Sequence, residues 1–217
     1  MTIETEKTAL VLGATGGVGG ETARALIGRG WRVRALTRRP ESAAASLPDA
    51  EWIAGDAMSA ADVIKAAVGV SLIVHAVNPP GYRNWRELAL PMLDNTIAAA
   101  AKSGARIVLP GTVYNYGPDA FPLVSESAPQ RPLTRKGAIR VEMEGRLKAA
   151  TARGVRTLVV RAGDFFGPRP GNSWFSQGLV KPHVPLSGIC YPGDRDVGPR
   201  LGLPARRRRN HRAVGRA

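Results

Sequence analysis

The sequence predicts an α/β protein, a doubly wound parallel sheet with helices on both faces. Three observations carry this. Short apolar runs alternate with helix-patterned stretches through the first 165 residues. Runs such as Ile107-Val108-Leu109 and Leu158-Val159-Val160 are apolar without interruption, as strands buried on both faces are. A glycine-rich loop follows the first run directly and opens a helical stretch.

The elements follow in chain order. Thr8 to Leu12 is a short apolar strand ending at glycine. Val18 to Arg29 has a helical pattern closed by Gly28 and Gly30. Trp31 to Leu36 and Glu51 to Ala54 read as strands, with Glu41 after Pro40 starting a helix between them. Ala60 to Val68 reads as a helix, and Ser71 to Val77 as a strand stopped by Asn78-Pro79-Pro80-Gly81. Trp85 to Ser103 is a long helix ending at Gly104, with a kink expected at Pro91. Arg106 to Leu109 is a strand. Lys136 to Arg153 is a helix supported by the i,i+4 pairs Glu142–Arg146 and Glu144–Lys148 and stopped by Gly154. Val155 to Arg161 completes six strands. Ligands of such sheets sit beyond the carboxyl ends of the strands, which directs attention to the loops after Leu12, Leu36, Ala54, Val77, Leu109 and Ala162.

Composition bounds the class. The 217 residues hold one cysteine, Cys190, so no disulfide can form within the chain. His75, His183 and His211 lack ligand spacing, and no metal site is expected. No apolar run reaches the roughly 18 residues of a membrane span. The first residues carry acid where a secretory signal carries positive charge, so the expected location is cytoplasmic.

The net charge of +14 would point to a nucleic-acid partner if it were evenly spread. It is not. Arg200, Arg206 to Arg209, Arg212 and Arg216 supply +7 without any acid after Val197, so residues 1–197 carry the remaining +7. Nucleic acid is therefore an unexpected partner. After Gly163 the pattern gives way to glycine, proline and aromatic residues, and after Val197 no helix or strand period remains. A solvated basic tail and a nucleic-acid arm are two readings of residues 198–217. The favoured third is a GC-rich gene read out of frame, since Arg, Gly, Pro and Ala dominate there. The expected organisation is a nucleotide-binding domain over 1–165, a partial substrate-binding portion over 166–197 and a basic irregular tail over 198–217.

The glycine loop carries the chemistry. Gly13, Gly16 and Gly19 are spaced G-x-x-G-x-x-G between the first strand and the first helix. A dinucleotide brings its diphosphate close to backbone N–H groups at a helix N-terminus, where side chains would block it. The candidate binding residues are Gly13, Thr15, Gly16, Gly17, Val18 and Gly19. An acid about 20 residues on would hold a ribose 2′-hydroxyl. This chain has Thr37, Arg38 and Arg39 there, and two guanidiniums suit a 2′-phosphate. NADP(H) is the expected cofactor, with NAD(H) possible.

With these motifs in view, the sequence resembles the short-chain dehydrogenase/reductase superfamily, in its extended or atypical branch of NAD-dependent epimerase/dehydratase-like proteins. The resemblance covers Thr8 to about Gly193. Gly55-Asp56 resembles the Gly-Asp pair after the third strand, and implies that Asp56 meets adenine. The segment from Ser71 to Val77 resembles the fourth strand, whose end implies cofactor-lining roles for Ala76, Val77 and Asn78. Arg161 to Pro168 resembles the family's R-x-x-N-x-Y-G-P, with Asp164 for its Asn and Phe166 for its Tyr. The resemblance implies a Rossmann-like fold and a C-terminal portion closing over the substrate. Tyr191 to Asp196 looks like the start of that portion, which implies a copy whose substrate side is incomplete.

The family's redox site pairs a Ser or Thr after strand five with a Tyr and a Lys four residues later. The segment from Val108 to Asp119 resembles the first part and puts Thr112 at the hydroxyl position. In the segment from Pro129 to Glu144 the Tyr position falls at Leu133 or Thr134. Lys136 approximates the Lys, with Arg135 as a neighbouring cation. No Y-x-x-x-K occurs in the chain. Tyr114 or Tyr116 could supply the phenol or could pack against the loops, and Tyr116 is retained as a candidate. His75 reads as structural, with cofactor lining second; Trp174 and Phe175 read as cleft cover. The resemblance implies an NADP(H)-dependent oxidoreductase or epimerase/dehydratase-like protein for a small carbonyl, hydroxyl or sugar-nucleotide substrate, without a membrane partner and plausibly a homodimer. The alternatives are a non-catalytic NADP(H) sensor and a truncated remnant.

Overall fold

The computed structural model describes residues 7–79, 84–121, 123–165, 169, 185 and 201–202. Six strands form one parallel sheet in the order β3-β2-β1-β4-β5-β6. They are β1 (Thr8–Leu12), β2 (Arg32–Thr37), β3 (Glu51–Ala54), β4 (Leu72–His75), β5 (Arg106–Gly111) and β6 (Thr157–Arg161). The helices are α1 (Gly17–Ile27), α2 (Pro40–Ala44), α3 (Ala60–Ala66), α4 (Trp85–Ser103) and α5 (Arg135–Ala152). The chain leaves β1 towards β2 on one side and returns to β4 on the other. β1 and β4 are thus neighbours at the switch point, with Leu12 opposite His75.

The uninterrupted apolar strands serve two cores. Side chains alternate across a strand, so Leu10 and Leu12 of β1 and Ile73 of β4 enter the layer that holds α3, α4 and α5. Val11 and Val74 enter the opposite layer with Ala23 of α1 and with Leu47 and Ala50 before β3. Leu93 and Ala100 of α4 and Met143 and Leu147 of α5 complete the larger core.

The helix ends have local causes. Ser59 caps α3, its hydroxyl accepting from the Asp62 amide at 3.3 Å. Thr134 caps α5 in the same way, accepting from the Gly137 amide at 3.0 Å. α4 continues through Pro91 without interruption. Two pairing expectations meet different outcomes. Glu142 and Arg146 pair at 2.6 Å along α5. Glu144 turns from Lys148 to Arg161 on β6, at 2.8 Å, because that strand end presents a guanidinium in bidentate geometry.

β5 extends beyond the expected Leu109 to Gly111. It pairs with β4 only as far as Val108, and Pro110 and Gly111 pair with Val160 and Arg161 of β6. The missing proline N–H falls where β4 no longer needs it, and Thr112 follows at the carboxyl edge. A correction concerns the region after Val197, where no strand is expected. Asp164–Phe165 (β7) and Leu201–Gly202 (β8) form a two-residue parallel pair. Backbone pairing of this length needs no side-chain period, which is why the pattern does not announce it. The proposed divisions at 166–197 and 198–217, with Phe166, Trp174, Phe175, His183, Cys190, the Tyr191 to Asp196 segment and His211, otherwise lie outside the described residues.

Leu10 is fully buried at the centre of β1. Leu10→Ala is expected to cost about 2–5 kcal/mol in urea unfolding. Leu133→Ala, at a residue 80% exposed, is expected to change it by less than about 0.5 kcal/mol.

Candidate functional site

Three strand-to-helix loops meet at the carboxyl edge of the sheet. The first turns at Gly13, whose φ of +88° is open to glycine alone at ordinary cost. A Cβ on Gly13 would also lie 2.6 Å from the Ala76 carbonyl oxygen beyond β4. Gly19 is demanded by helix packing, since a Cβ there would stand 2.1 Å from the Gly13 carbonyl oxygen. Gly16 differs. A Cβ there meets only the Gly13 oxygen, at 3.3 Å. The fold therefore needs glycine at 13 and 19 and makes no comparable demand at 16. Gly16 is the N-cap of α1, no side chain caps that terminus, and no acid stands in the first turn. The opening amide groups of α1, from Gly17, Val18 and Gly19, thus form an anion cradle.

Beside it lies a cleft of about 540 Å³ lined by Thr15, Thr37, Arg38, Arg39, Ser42, Ala43 and Ser46. Arg38 and Arg39 are exposed at its rim, and neither guanidinium pairs with an acid among the described residues. The Thr37 hydroxyl accepts from the Arg39 amide at 3.4 Å, and Ser42 donates to the Arg39 carbonyl at 3.1 Å, which shapes the turn. Two cations and four hydroxyls line one cleft next to a helix N-terminus. That donor set fits a phosphorylated adenosine ribose, and the glycine cradle fits the diphosphate. The residues present therefore fit a dinucleotide.

Asp56 sits on the same edge, and its carboxylate is engaged locally. It accepts from the Met58 amide at 2.9 Å, while the Asp56 amide donates to Asp62 at 2.9 Å. Ala76 and Val77 follow β4 beside Gly13, with the Ala76 amide donating to Leu12 at 2.9 Å. Asn78 accepts from the Trp85 indole at 2.7 Å and so fastens the start of α4.

His75 ends β4 on the α4 side and is 2% exposed. Thr96 donates to the Met92 carbonyl at 3.0 Å, so at 2.8 Å it accepts the proton from His75 Nδ1. Burial first, and then the nearby Arg140 cation, push the His75 pKa from 6.5 down to about 3. This neutral, packed ring matches the structural reading.

The third group lies at the ends of β5 and β6. The Thr112 hydroxyl donates to Asn115 Oδ1 at 3.1 Å, and Asn115 Nδ2 donates to Gln130 Oε1 at 3.0 Å. Gln130 Nε2 donates to Glu144 Oε2 at 2.7 Å. Arg161 grips Glu144 with two hydrogen bonds, at 2.9 and 2.8 Å, and closes the ring on the Thr112 carbonyl at 2.5 Å. Sequence reasoning identified Thr112 and missed Asn115, Gln130 and Glu144. Their signal was weak, because polar residues 15 and 14 apart meet only through the loop.

The remaining catalytic candidates separate. Tyr116 is 7% exposed, and Arg161 lies over its ring at 5.0 Å. The guanidinium covers its ring, so Tyr116 packs the loop, one of the two readings held for it. Lys136 is exposed in the first turn of α5. Leu133 is exposed and Thr134 is spent as the helix cap, so neither supplies a phenol. Arg140, one turn beyond Lys136 and also missed, reaches the strand edge. Its Nη1 donates to the Pro110 carbonyl at 3.4 Å, and its guanidinium lies 5.1 Å from the Trp85 ring centroid. Tyr114 is 40% exposed, and its carbonyl meets α5 at Gly137, where a Cβ would lie 2.2 Å away.

Comparison with known proteins follows this geometry. The model described as the NAD dependent epimerase/dehydratase family matches residues 9–181. Among curated proteins none matches the chain. Among solved structures, MoeE5 in complex with UDP-glucose and NAD is 24% identical, with a TM-score of 0.64 over 79% of this chain and 59% of its own. UDP-glucose 4-epimerase from Brucella ovis in complex with NAD is 18% identical, with a TM-score of 0.66 over 74% of this chain and 53% of its own. A mutant of UDP-glucuronic acid 4-epimerase from Bacillus cereus is 18% identical, with a TM-score of 0.70 over 79% of this chain and 61% of its own. This chain thus spans less than two thirds of their lengths, and at these identities the likeness establishes the fold. Among the described residues, no helix is long and apolar enough to cross a membrane, and no group of three or more metal-ligating residues occurs.

Two outcomes are expected. Gly19→Val should destabilise the protein by more than about 3 kcal/mol. Gly16→Val should cost about 1 kcal/mol, both read by thermal unfolding. For His75, the unfolded ring binds a proton below pH 6.5 and the folded ring only near 3. Stability from this group is therefore complete above 6.5 and falls as pH drops, by up to about 1.4 kcal/mol per pH unit. His75→Asn should flatten that slope by about one proton in urea titrations between pH 4 and 6.5.

Proposed function

The chain belongs to the NAD-dependent epimerase/dehydratase family, and from that premise we propose that it binds NADP(H) in preference to NAD(H). The substrate side is proposed to take a small hydroxyl or carbonyl compound or a sugar nucleotide. The observation that carries the cofactor preference is the cleft in which Arg38, Arg39, Thr37, Ser42 and Ser46 adjoin the Gly16 cradle. The solved structures contribute the substrate class, since two of the three named above bear UDP-glucose in their names.

In this reading the opening amides of α1 hold the diphosphate and Gly16 leaves room for it. Arg38 and Arg39 bind the 2′-phosphate; each charge-assisted contact is worth about 1.5–3 kcal/mol. Ala76 and Val77, which adjoin Gly13 beyond β4, would border the bound cofactor. The bound nicotinamide supplies hydride acceptance and return. Thr112 orients the substrate oxygen, and Lys136 and Arg140 place positive charge along the α5 side of the same edge.

A second reading is a nucleotide-binding sensor without turnover. It is favoured by the state of the phenols: Leu133 and Thr134 offer none, and Tyr116 is packed under Arg161. It predicts tight NADPH binding without consumption across carbonyl and sugar-nucleotide substrates.

The test is a titration with NADPH and NADH read by nicotinamide fluorescence. NADPH is expected to bind about ten- to a hundredfold more tightly, and Arg38→Ala with Arg39→Ala should erase the difference. Equal affinities in the parent protein overturn the preference. Undiminished binding by Gly16→Val overturns the cradle.

A further inference from the structure

We infer that the polar ring behind Thr112, with the buried Asn115 at its centre, fixes the direction of its hydroxyl, so that Thr112 meets the carboxyl edge of the sheet as a hydrogen-bond acceptor and selects the alcohol form of a substrate. This rests on the reading above that Thr112 receives the substrate's reacting oxygen. It adds the oxidation state in which that oxygen is bound.

The argument runs inward from a charge. Glu144 is a carboxylate held by two hydrogen bonds from Arg161, and a carboxylate only accepts. Gln130 lies 2.7 Å from Glu144 and must therefore turn its amide nitrogen towards it. Its carbonyl oxygen then faces Asn115, which must donate with Nδ2, at 3.0 Å. Asn115 is fully buried and cannot exchange either half of its amide for water. Its oxygen is left facing Thr112, so the threonine donates its one proton to it, at 3.1 Å. Reversing any link would bring two oxygens or two N–H groups face to face, with Arg161 and Glu144 fixed at the far end.

A threonine hydroxyl has one proton and two acceptor positions. With the proton committed inward, only lone pairs remain. A hydroxyl group approaching from the carboxyl edge can donate to them. A carbonyl oxygen has nothing to donate and meets lone pair against lone pair. The half-buried Thr112 stands at the carboxyl edge of β5, and Arg161 ties down its own carbonyl, so the residue is held at both backbone and side chain.

The experiment has two arms on the full chain. In the first, proton NMR of the ligand-free protein is expected to show a resolved, slowly exchanging Thr112 hydroxyl proton that disappears in Thr112→Val. In Gln130→Lys the ammonium donates to both Glu144 and Asn115, Asn115 turns its amide round, and the hydroxyl should exchange at least about tenfold faster. The absence of such a resonance in the parent, or an equal exchange rate in Gln130→Lys, overturns the fixed direction. In the second arm, the protein saturated with NADP+ is titrated with UDP-glucose and with its 4-deoxy-4-fluoro analogue, which cannot donate at that position. The analogue is expected to bind about tenfold more weakly, and the gap should close in Thr112→Val. Equal affinities in the parent overturn the selection. If neither binds, the sugar-nucleotide reading fails, and the first arm still decides the hydroxyl's direction.

Discussion

The turn at Gly13 is the constraint on which the site depends. β1 and β4 are hydrogen-bonded neighbours, and the chain must leave β1 through the narrow space above β4. It does so with a left-handed residue whose missing side chain lets the backbone pass the Ala76 carbonyl. The same carbonyl of Gly13 then receives α1 at Gly19. Strand, turn and helix are locked together by absent Cβ atoms, and the helix N-terminus is aimed at the crevice of the switch point. The cleft beside Arg38 and Arg39 inherits its position from this arrangement.

At the other half of the edge, a charge does the corresponding work. Arg161 reaches from the end of β6 to Glu144 on α5 and to the backbone of Thr112 after β5. Three elements are joined by one guanidinium that is largely shielded from water. Such a partly buried pair is worth more than a surface one, since neither charge has full access to solvent. Its second effect is directional: the carboxylate polarises two amides in series and thereby a hydroxyl. The contrast with Arg38 and Arg39 is instructive. They are exposed and unmatched by any acid among the described residues.

Much of the fold was legible because it depends on local regularities. All six sheet strands and the four longer helices were read within a few residues, since apolar runs and glycine stops report burial on both faces directly. The turn after β1 was legible for the same reason, its steric demand being met by Gly13 and Gly19. Errors arose where a partner distant in sequence decided the outcome. Glu144 had Lys148 as its nearest helical neighbour and chose Arg161, because a bidentate fork at a strand end outcompetes a flexible ammonium in water. For Tyr116 the sequence left packing and a phenol role open, and its place beneath the Arg161 guanidinium came only with the tertiary structure.

The sequence by itself determined the parallel sheet with its alternating helices, the place of the glycine turn after β1 and the family. Each follows from contacts between neighbours along the chain or from steric rules obeyed by single residues. Only the tertiary structure decided which glycines the fold demands and which acid holds Arg161. It alone turned the Thr112 proton inward. Those outcomes depend on distances between residues that the chain separates, and hydrogen-bond direction is a property of a closed network rather than of any residue in it.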